Sequence, residues 1–295
     1  MIRVALNGGL GNQMFQYATG RALSVVNNTN LLLDLIPLQS KLQSKQFATY
    51  RKFELDIFTT DAVINKPVFT HKYLYPFAKA NFYFNIAISK IKYNYFKEKS
   101  FEFDAALLKQ PDNTYLDGHF QTEKYFKSIE NLIRNELKFK DKLSGKNLHF
   151  KNKIESCNAV SLHIRRGDYL LNKKNLNKHG VTSLNYYYNA VSFIASKIDT
   201  PVFFVFTDDI KWTKENFNID FPFEIVDENT APETSHLDMH LMSLCKHNII
   251  CNSTFSWWGA WLNGNPDKIV TAPLKWFEDS SINSKDIYPS EWIKL

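Results

Sequence analysis

In the C-terminal half of the chain, short runs of alternating apolar and polar residues give way repeatedly to stretches with apolar residues three and four apart. Val160, Leu162 and Ile164 alternate with Ser161, His163 and Arg165, the two-residue period of a β-strand. Strands are predicted at 158–165, 202–206, 223–226, 248–251 and 269–272. Between them, helices are predicted at 186–198, 212–217, 236–246 and 254–262. Strands alternating with helices imply a parallel, doubly wound sheet, so residues 158–295 read as an α/β domain of nucleotide-binding type.

The N-terminal half opens with a strand at 2–6 and the turn Asn7-Gly8-Gly9-Leu10-Gly11. Met14, Tyr17, Ala18, Ala22 and Val25 then mark the buried face of a helix running from about Asn12 to Asn27. Asn12 and Gln13 stand at its start, where free backbone amides favour an anion. The glycines make a poor dinucleotide fingerprint, because the third one is missing from its register. After a strand at 31–34 the composition changes. Between Phe69 and Phe103 aromatics are interleaved with lysines, a pattern shared by peripheral membrane faces, by stacking platforms for nucleic acid, and by ordinary helices with an aromatic inner face and a lysine outer one. A short strand at 115–117 leads into a polar turn and a helix at about 128–139. The lysine-rich stretch from Lys138 to Lys153 reads as an interdomain crossing, which sets domains at 1–157 and 158–295.

Composition narrows the partners. The chain has 295 residues, long for a single core, and a formal net charge of +6, which favours anionic ligands such as nucleotide phosphates, an acidic membrane surface or nucleic acid. Cys157, Cys245 and Cys251 are an odd number in apolar contexts and are expected to be reduced. No signal peptide and no apolar run of membrane-spanning length stand out, so a cytoplasmic protein is expected, with peripheral contact at the inner face of a membrane left open. Oligomeric state leaves no trace in the sequence.

Candidate chemistry collects at the C-terminal ends of the predicted strands. At His163-Ile164-Arg165-Arg166-Gly167-Asp168-Tyr169 a buried strand turns polar, with His163 and Arg165 on one face and Arg166 on the other. Two guanidiniums beside a histidine suit a phosphate or diphosphate, since each offers a planar fork of donors. An internal Arg–Asp ion pair at a strand end is the plainer reading of the same residues. Asn252-Ser253-Thr254-Phe255-Ser256 opens the last predicted helix, where hydroxyls serve both as caps and as a phosphate cradle. Asp238 lies off the Leu237, Leu241, Leu244 stripe. His236 and His240 are one turn apart but lack an evident third metal ligand. No Asp-x-Asp occurs, so Arg165 and Arg166 are expected to stabilise a leaving diphosphate without a metal. Asp208 and Asp209 read as a helix cap before they read as a Mg²⁺ site.

Four ordered segments, 8–18, 118–126, 163–169 and 252–261, together resemble the alpha-1,2-fucosyltransferase family of bacterial O-antigen enzymes and blood-group H enzymes. That resemblance implies a glycosyltransferase B-type fold of two facing Rossmann-like α/β domains, the C-terminal one holding GDP-fucose. It also implies inverting, metal-independent transfer of L-fucose to the 2-hydroxyl of a terminal galactose on a glycan. By resemblance to the wider superfamily, Arg165 contacts the diphosphate, His163 the nucleotide, and Ser253, Thr254 and Phe255 the phosphate and base. Arg166, Asn252 and Ser256 join the donor set, Asp238 reads guanine, and Asn12 reaches over from the N-terminal domain. Gln13, Gln121 and Lys124 are the acceptor-side candidates. Asp168 is the nearest carboxylate for a base; the glutamate that alpha-1,6 relatives carry further along has no counterpart in 170–176. No cofactor is implied. The alternatives are a fucosyltransferase of another linkage, another GDP-sugar donor, or a non-catalytic basic protein that binds sugar or nucleic acid.

Overall fold

The computed structural model describes residues 1–39, 51–65, 87–88, 90–170 and 173–295. The Lys/aromatic stretch from 69 to 86 therefore lies outside the described residues. The chain divides into two compact units, Met1–Lys140 with Asn283–Ile287, and Asp141–Ile282 with Tyr288–Leu295.

The first unit is built on a five-stranded parallel sheet of β1 (Ile2–Ala5), β2 (Leu31–Asp34), β3 (Val63–Asn65), β4 (Asn94–Lys97) and β5 (Thr114–Asp117), in the order β3-β2-β1-β5-β4. Helix Leu10–Val26 packs on it, with Met14, Phe15, Tyr17, Ala18 and Leu23 fully buried. Burial of Met14, Phe15 and Leu23 stabilises the unit by roughly 1.5–3 kcal/mol each. Within the described end of the Lys/aromatic stretch, residues 87–88 and 90–92 are helical and Asn94–Lys97 form strand β4. Tyr95 of β4 stacks on Tyr115 of β5 at 5.7 Å, and the Arg3 guanidinium lies 4.0 Å above the Tyr93 ring. The aromatics at 93 and 95 therefore finish a sheet edge.

The second unit carries a six-stranded parallel sheet of β6 (Asn158–Ile164), β7 (Pro201–Thr207), β8 (Phe223–Val226), β9 (His247–Ile249), β10 (Val270–Ala272) and β11 (Ile293–Lys294), in the order β11-β10-β9-β6-β7-β8. The alternation read in the sequence is the alternation of its two faces. Val160, Leu162, Ile164, Phe203 and Val205 pack with Tyr187, Ala190 and Ile194 of helix Leu184–Ala195. Ala159, Phe204, Phe206 and Val226 pack on the opposite side with Phe150, Ile154, Leu241 and Met242.

The expected interdomain crossing at 138–153 turns out differently. Residues Gly145–Glu155 form a helix whose Phe150 and Ile154 enter the second unit's core. The second unit thus begins at Asp141, ahead of the boundary expected near Cys157. Cysteines 157, 245 and 251 are free thiols, Cys157 half-buried and the others buried. Among the described residues no helix is long and apolar enough to cross a membrane.

Candidate active site

In the second sheet β6 and β9 are neighbours, yet the chain continues from β6 to β7 and β8 on one side and from β9 to β10 and β11 on the other. The crevice outside the carboxyl ends at such a reversal is where open parallel sheets bind ligands. Segments 163–169 and 252–256 meet there. His163, on β6, is 4% exposed, with its Nδ1 3.2 Å from the Cys251 Sγ and its ring 5.6 Å from that of Phe255. Burial, aided by the Arg165 charge, pushes the imidazole down to about 3, and burial pushes the Cys251 thiol up to about 12. The pair is therefore neutral across the physiological range. Both groups are neutral, so this is a thiol–imidazole contact whose donor is set by the ring's tautomer. An imidazole so hard to protonate makes His163 a neutral polar group and a poor proton-accepting base.

The two arginines are held by acids at the end of the neighbouring strand, β7. Arg165 Nε lies 3.1 Å from Asp208 Oδ2. The same carboxylate accepts from the backbone N–H of Arg166 at 2.8 Å and of Gly167 at 3.0 Å. Asp208 thereby ties the turn after β6 to the end of β7. The Arg166 guanidinium stacks over the Trp212 ring at 3.5 Å, with Nε 3.8 Å from Asp209 Oδ2. That distance is too long for a hydrogen bond, and the buried Nε has no hydrogen-bond partner. Asp209 caps helix Ile210–Asn216 by accepting from the Trp212 N–H at 3.2 Å. The cap expected of the 208–209 pair is present, and Arg165 and Arg166 are ion-paired to Asp208 and Asp209. Asp168 lies in the short helix Gly167–Leu170; its side chain is outside the described residues.

Helix Thr254–Leu262 starts beside this turn. Its Trp257, Trp258 and Trp261 are buried against one another, with Trp257 and Trp258 at 5.1 Å and 71°. Those contacts fix where the helix begins. Ser253 is the cap, accepting from the Phe255 N–H at 3.3 Å, and Ser256 donates to the Ser253 carbonyl at 3.2 Å. Thr254 and Phe255 are half-exposed. Asn252 departs from its expected donor role. Its amide donates to the His179 carbonyl at 2.6 Å and the Trp276 carbonyl at 3.3 Å, and its oxygen accepts from Thr182 at 3.0 Å. Those bonds hold the loops around the site and leave the side chain little capacity for a ligand.

Asp238 sits in the first turn of helix His236–Leu244, buried, and accepts from the Asn229 amide at 2.6 Å. Asn229 and Asn147 exchange amide bonds at 2.8 and 3.0 Å. Burial pushes the Asp238 carboxyl up to about 7, so it changes charge near neutrality. Among the described residues no group of His, Cys, Asp and Glu is arranged to hold a metal ion.

In the first unit the order of strands reverses between β1 and β5, and the 7–13 and 118–126 segments meet there. Gly8 has φ +75°, and a Cβ on it would lie 2.3 Å from the Asn12 Nδ2. Asn12 Oδ1 accepts from Gln121 Nε2 at 2.9 Å, joining two of the candidates. Lys124 is half-exposed and paired with Asp286 at 2.5 Å.

Two expectations fail here. Gln13 is fully buried, donates to the carbonyls of Gly8 at 3.0 Å and Lys52 at 2.8 Å, and accepts from the Glu54 N–H at 3.0 Å. It is a staple of the turn and has no face for an acceptor. The helix also begins at Leu10, so the N–H groups of Asn12 and Gln13 already bond the Gly9 carbonyl, at 2.9 and 3.1 Å. Glu54 takes the place foreseen for an external anion: its carboxylate accepts from the Leu10 amide, and burial pushes it up. Gln16 went unnoticed in the sequence; its amide donates to the Gly118 carbonyl at 2.9 Å and accepts from the Asn7 N–H at 3.0 Å, joining the two loops.

Comparison with known proteins places relatives beside this geometry. The family model described as Glycosyl transferase family 11 matches residues 1–295. An Escherichia coli protein named O-antigen biosynthesis glycosyltransferase WbnK is 37% identical over 98% of this chain and 99% of its own length. An alpha-1,2-colitosyltransferase of Escherichia coli is 36% identical over 98% of this chain and 97% of its own length. A galactoside 2-alpha-L-fucosyltransferase of Caenorhabditis elegans is 26% identical, covering 61% of this chain and 52% of its own.

Proposed function

The chain belongs to glycosyl transferase family 11, and from that premise we propose that it is an inverting galactoside alpha-1,2-fucosyltransferase using GDP-fucose. The observation that carries this reading is the meeting of His163, Arg165 and Arg166 with the capped start of helix Thr254–Leu262 at the sheet reversal. A buried Arg166 Nε without a hydrogen-bond partner adds a donor suited to an anionic ligand. Membership of a transferase family sets aside the non-catalytic alternative.

In the proposed reaction the 2-hydroxyl of a terminal galactose attacks the anomeric carbon of fucose while the bond to the β-phosphate oxygen breaks. The electron pair leaves with GDP, and the hydroxyl proton passes to a carboxylate, Asp168 being the candidate, or to water. Charge grows on the diphosphate as the bond lengthens, and Arg165, held by Asp208, answers it. His163 contributes a neutral N–H, and Ser253, Thr254 and Phe255 line the phosphate and base side, with Ser256 buried behind them and bonded to the Ser253 carbonyl. Asp238 accepts from the guanine N–H groups in its ionised form. No metal is needed in this scheme. Asp208, the acid nearest the arginines, already serves two backbone N–H groups and Arg165, which leaves it poorly placed to bind a cation as well.

The donor has a second reading, favoured by the 36% identical colitosyltransferase. Colitose is L-fucose without its 3-hydroxyl. A site that hydrogen-bonds that hydroxyl rejects the deoxy sugar by as much as about 10⁴-fold, whereas an apolar site discriminates by only about 10²-fold. The test is transfer from GDP-fucose and GDP-colitose in competition onto methyl β-galactoside, with the product linkage read by NMR. Fucose on O2 with inverted anomeric configuration supports the first reading, and colitose on O2 supports the second. Transfer to another hydroxyl, or retention of configuration, overturns both. The acceptor in the cell is proposed to be an O-antigen glycan, which suits the 37% identical O-antigen glycosyltransferase, with the enzyme working at the cytoplasmic face of the membrane.

A further inference from the structure

Just past β4, Glu98 makes an arrangement that none of the roles above uses. Its carboxylate accepts from the backbone N–H of His119 at 2.7 Å and of Phe120 at 2.8 Å, while its own N–H donates to the Asp117 carbonyl at 2.9 Å. The turn it grips is built around it. A Cβ on Gly118 would lie 2.4 Å from the Glu98 Cβ and 2.8 Å from the Phe120 ring, and Phe120 itself has φ +55°. A non-glycine residue at positive φ persists only where its surroundings over-determine it. An amide side chain accepts one of the two N–H groups and turns its own N–H toward the other, so only a carboxylate satisfies both. The next residue, Gln121, delivers its amide to the Asn12 oxygen at 2.9 Å, in the crevice where β1 and β5 diverge.

We propose that Glu98 is a positioning residue: by clamping the 118–120 turn it holds Gln121 against Asn12 and so sets the affinity for the acceptor sugar. This rests on the transferase reading above. The carboxylate is costly to bury, and burial pushes it up to about 7 despite the two backbone donors, with the Asp117 charge adding to the shift. Asp117 faces it from β5, His119 from the turn, and Lys99, Glu102, Asp104 and Tyr125 line the same small pocket. The clamp is therefore expected to loosen as the pH falls below neutrality.

The experiment uses full-length protein carrying Glu98→Gln, Glu98→Ala or Gln121→Ala. Hydrogen exchange across 117–122 is expected to show protection at His119 and Phe120 in the wild type, reduced at one of them in Glu98→Gln and lost at both in Glu98→Ala. The KM for methyl β-galactoside is expected to rise tenfold or more in Glu98→Ala, with GDP affinity by calorimetry within twofold of wild type. Adding Gln121→Ala to Glu98→Ala is expected to raise that KM little further, since both act through one contact. Unchanged exchange protection in Glu98→Ala overturns the clamp. Equal losses in acceptor KM and GDP affinity overturn the positioning role. If Glu98→Ala does not fold, Glu98→Gln and Gln121→Ala decide by the same readouts. A wild type that transfers no sugar from any donor removes the functional reading, while the exchange data still decide whether Glu98 holds the turn.

Discussion

Replacing Asp208 by alanine removes a carboxylate that serves three donors, the N–H groups of Arg166 and Gly167 and the Nε of Arg165, at 2.8, 3.0 and 3.1 Å. Hydrogen bonds to a charged group contribute about 1.5–3 kcal/mol each. The side chain is 22% exposed, so water replaces part of what is lost, and a net destabilisation of about 2–4 kcal/mol is expected. All six tryptophans, at 212, 257, 258, 261, 276 and 292, lie in the second unit, so fluorescence-monitored urea unfolding reports that unit selectively. Freed from Asp208, the Arg165 guanidinium no longer waits in place for the diphosphate, and GDP affinity is expected to fall by about 10- to 100-fold, the equivalent of one or two charge-assisted bonds. Asp208→Asn keeps one acceptor oxygen and loses the charge. About half the stability loss, with nearly the full loss of GDP affinity, is expected. An alanine variant that unfolds within about 0.5 kcal/mol of wild type, the range of an ordinary surface substitution, and binds GDP equally well refutes this account of the turn.

Arg165→Ala is expected to lower turnover at saturating donor by about 100- to 1,000-fold, the usual loss when one preorganised donor to developing charge is removed; near-normal turnover in a rapid-mixing assay contradicts its role. Asp238 gives a pH signature. Its folded carboxyl titrates at about 7 and its unfolded one at about 4, so the folded state holds a proton that the unfolded chain releases. Stability is therefore expected to fall as pH rises between those values and to level off above 7, a slope that Asp238→Asn should remove from urea titrations. Because guanine needs the ionised form, wild-type GDP affinity should weaken as pH drops below about 7, by up to tenfold per unit, and calorimetry on Asp238→Asn should show weaker, flatter binding. Gln13→Leu removes the bonds to the Glu54 N–H and to the Gly8 and Lys52 carbonyls and should cost about 2–4 kcal/mol. With the temperature lowered to keep the variant folded, its acceptor KM should stay within about twofold, inside the span of an ordinary surface change.

The second unit was nearly transcribed in the sequence because its strands are buried on both faces: Val160, Leu162 and Ile164 meet one layer of helices, and Ala159 meets the other. That double burial leaves apolar residues at 159, 160, 162 and 164, a strand pattern that ends sharply at Arg165. Helix Gly145–Glu155 was illegible for the opposite reason. It commits only Asn147, Phe150 and Ile154 to the interior, too sparse a stripe to stand out from its lysines. The site shows the same division. Residue type announced a polar strand end at 163–169 and a capped helix at 254, but it could not tell an inward amide from an outward one. Gln13 and Asn252 consequently read as ligand contacts when they are staples. The acids that hold the site, Asp208 for Arg166 and Glu98 for His119, are 42 and 21 residues away along the chain, and only the parallel pairing of β6 with β7 and of β4 with β5 brings them into reach.

Calorimetry on the wild-type protein in EDTA, comparing GDP, GDP-fucose and UDP-galactose, tests most directly the claim that the β6–β9 crevice is a guanine-selective diphosphate site held by arginines. We expect GDP and GDP-fucose to bind in the micromolar range typical of substrate affinities, with no binding of UDP-galactose and no change on adding Mg²⁺. Absence of GDP binding, equal binding of the uridine nucleotide, or binding that appears only with Mg²⁺ contradicts the assignment of Arg165, Arg166 and Asp238.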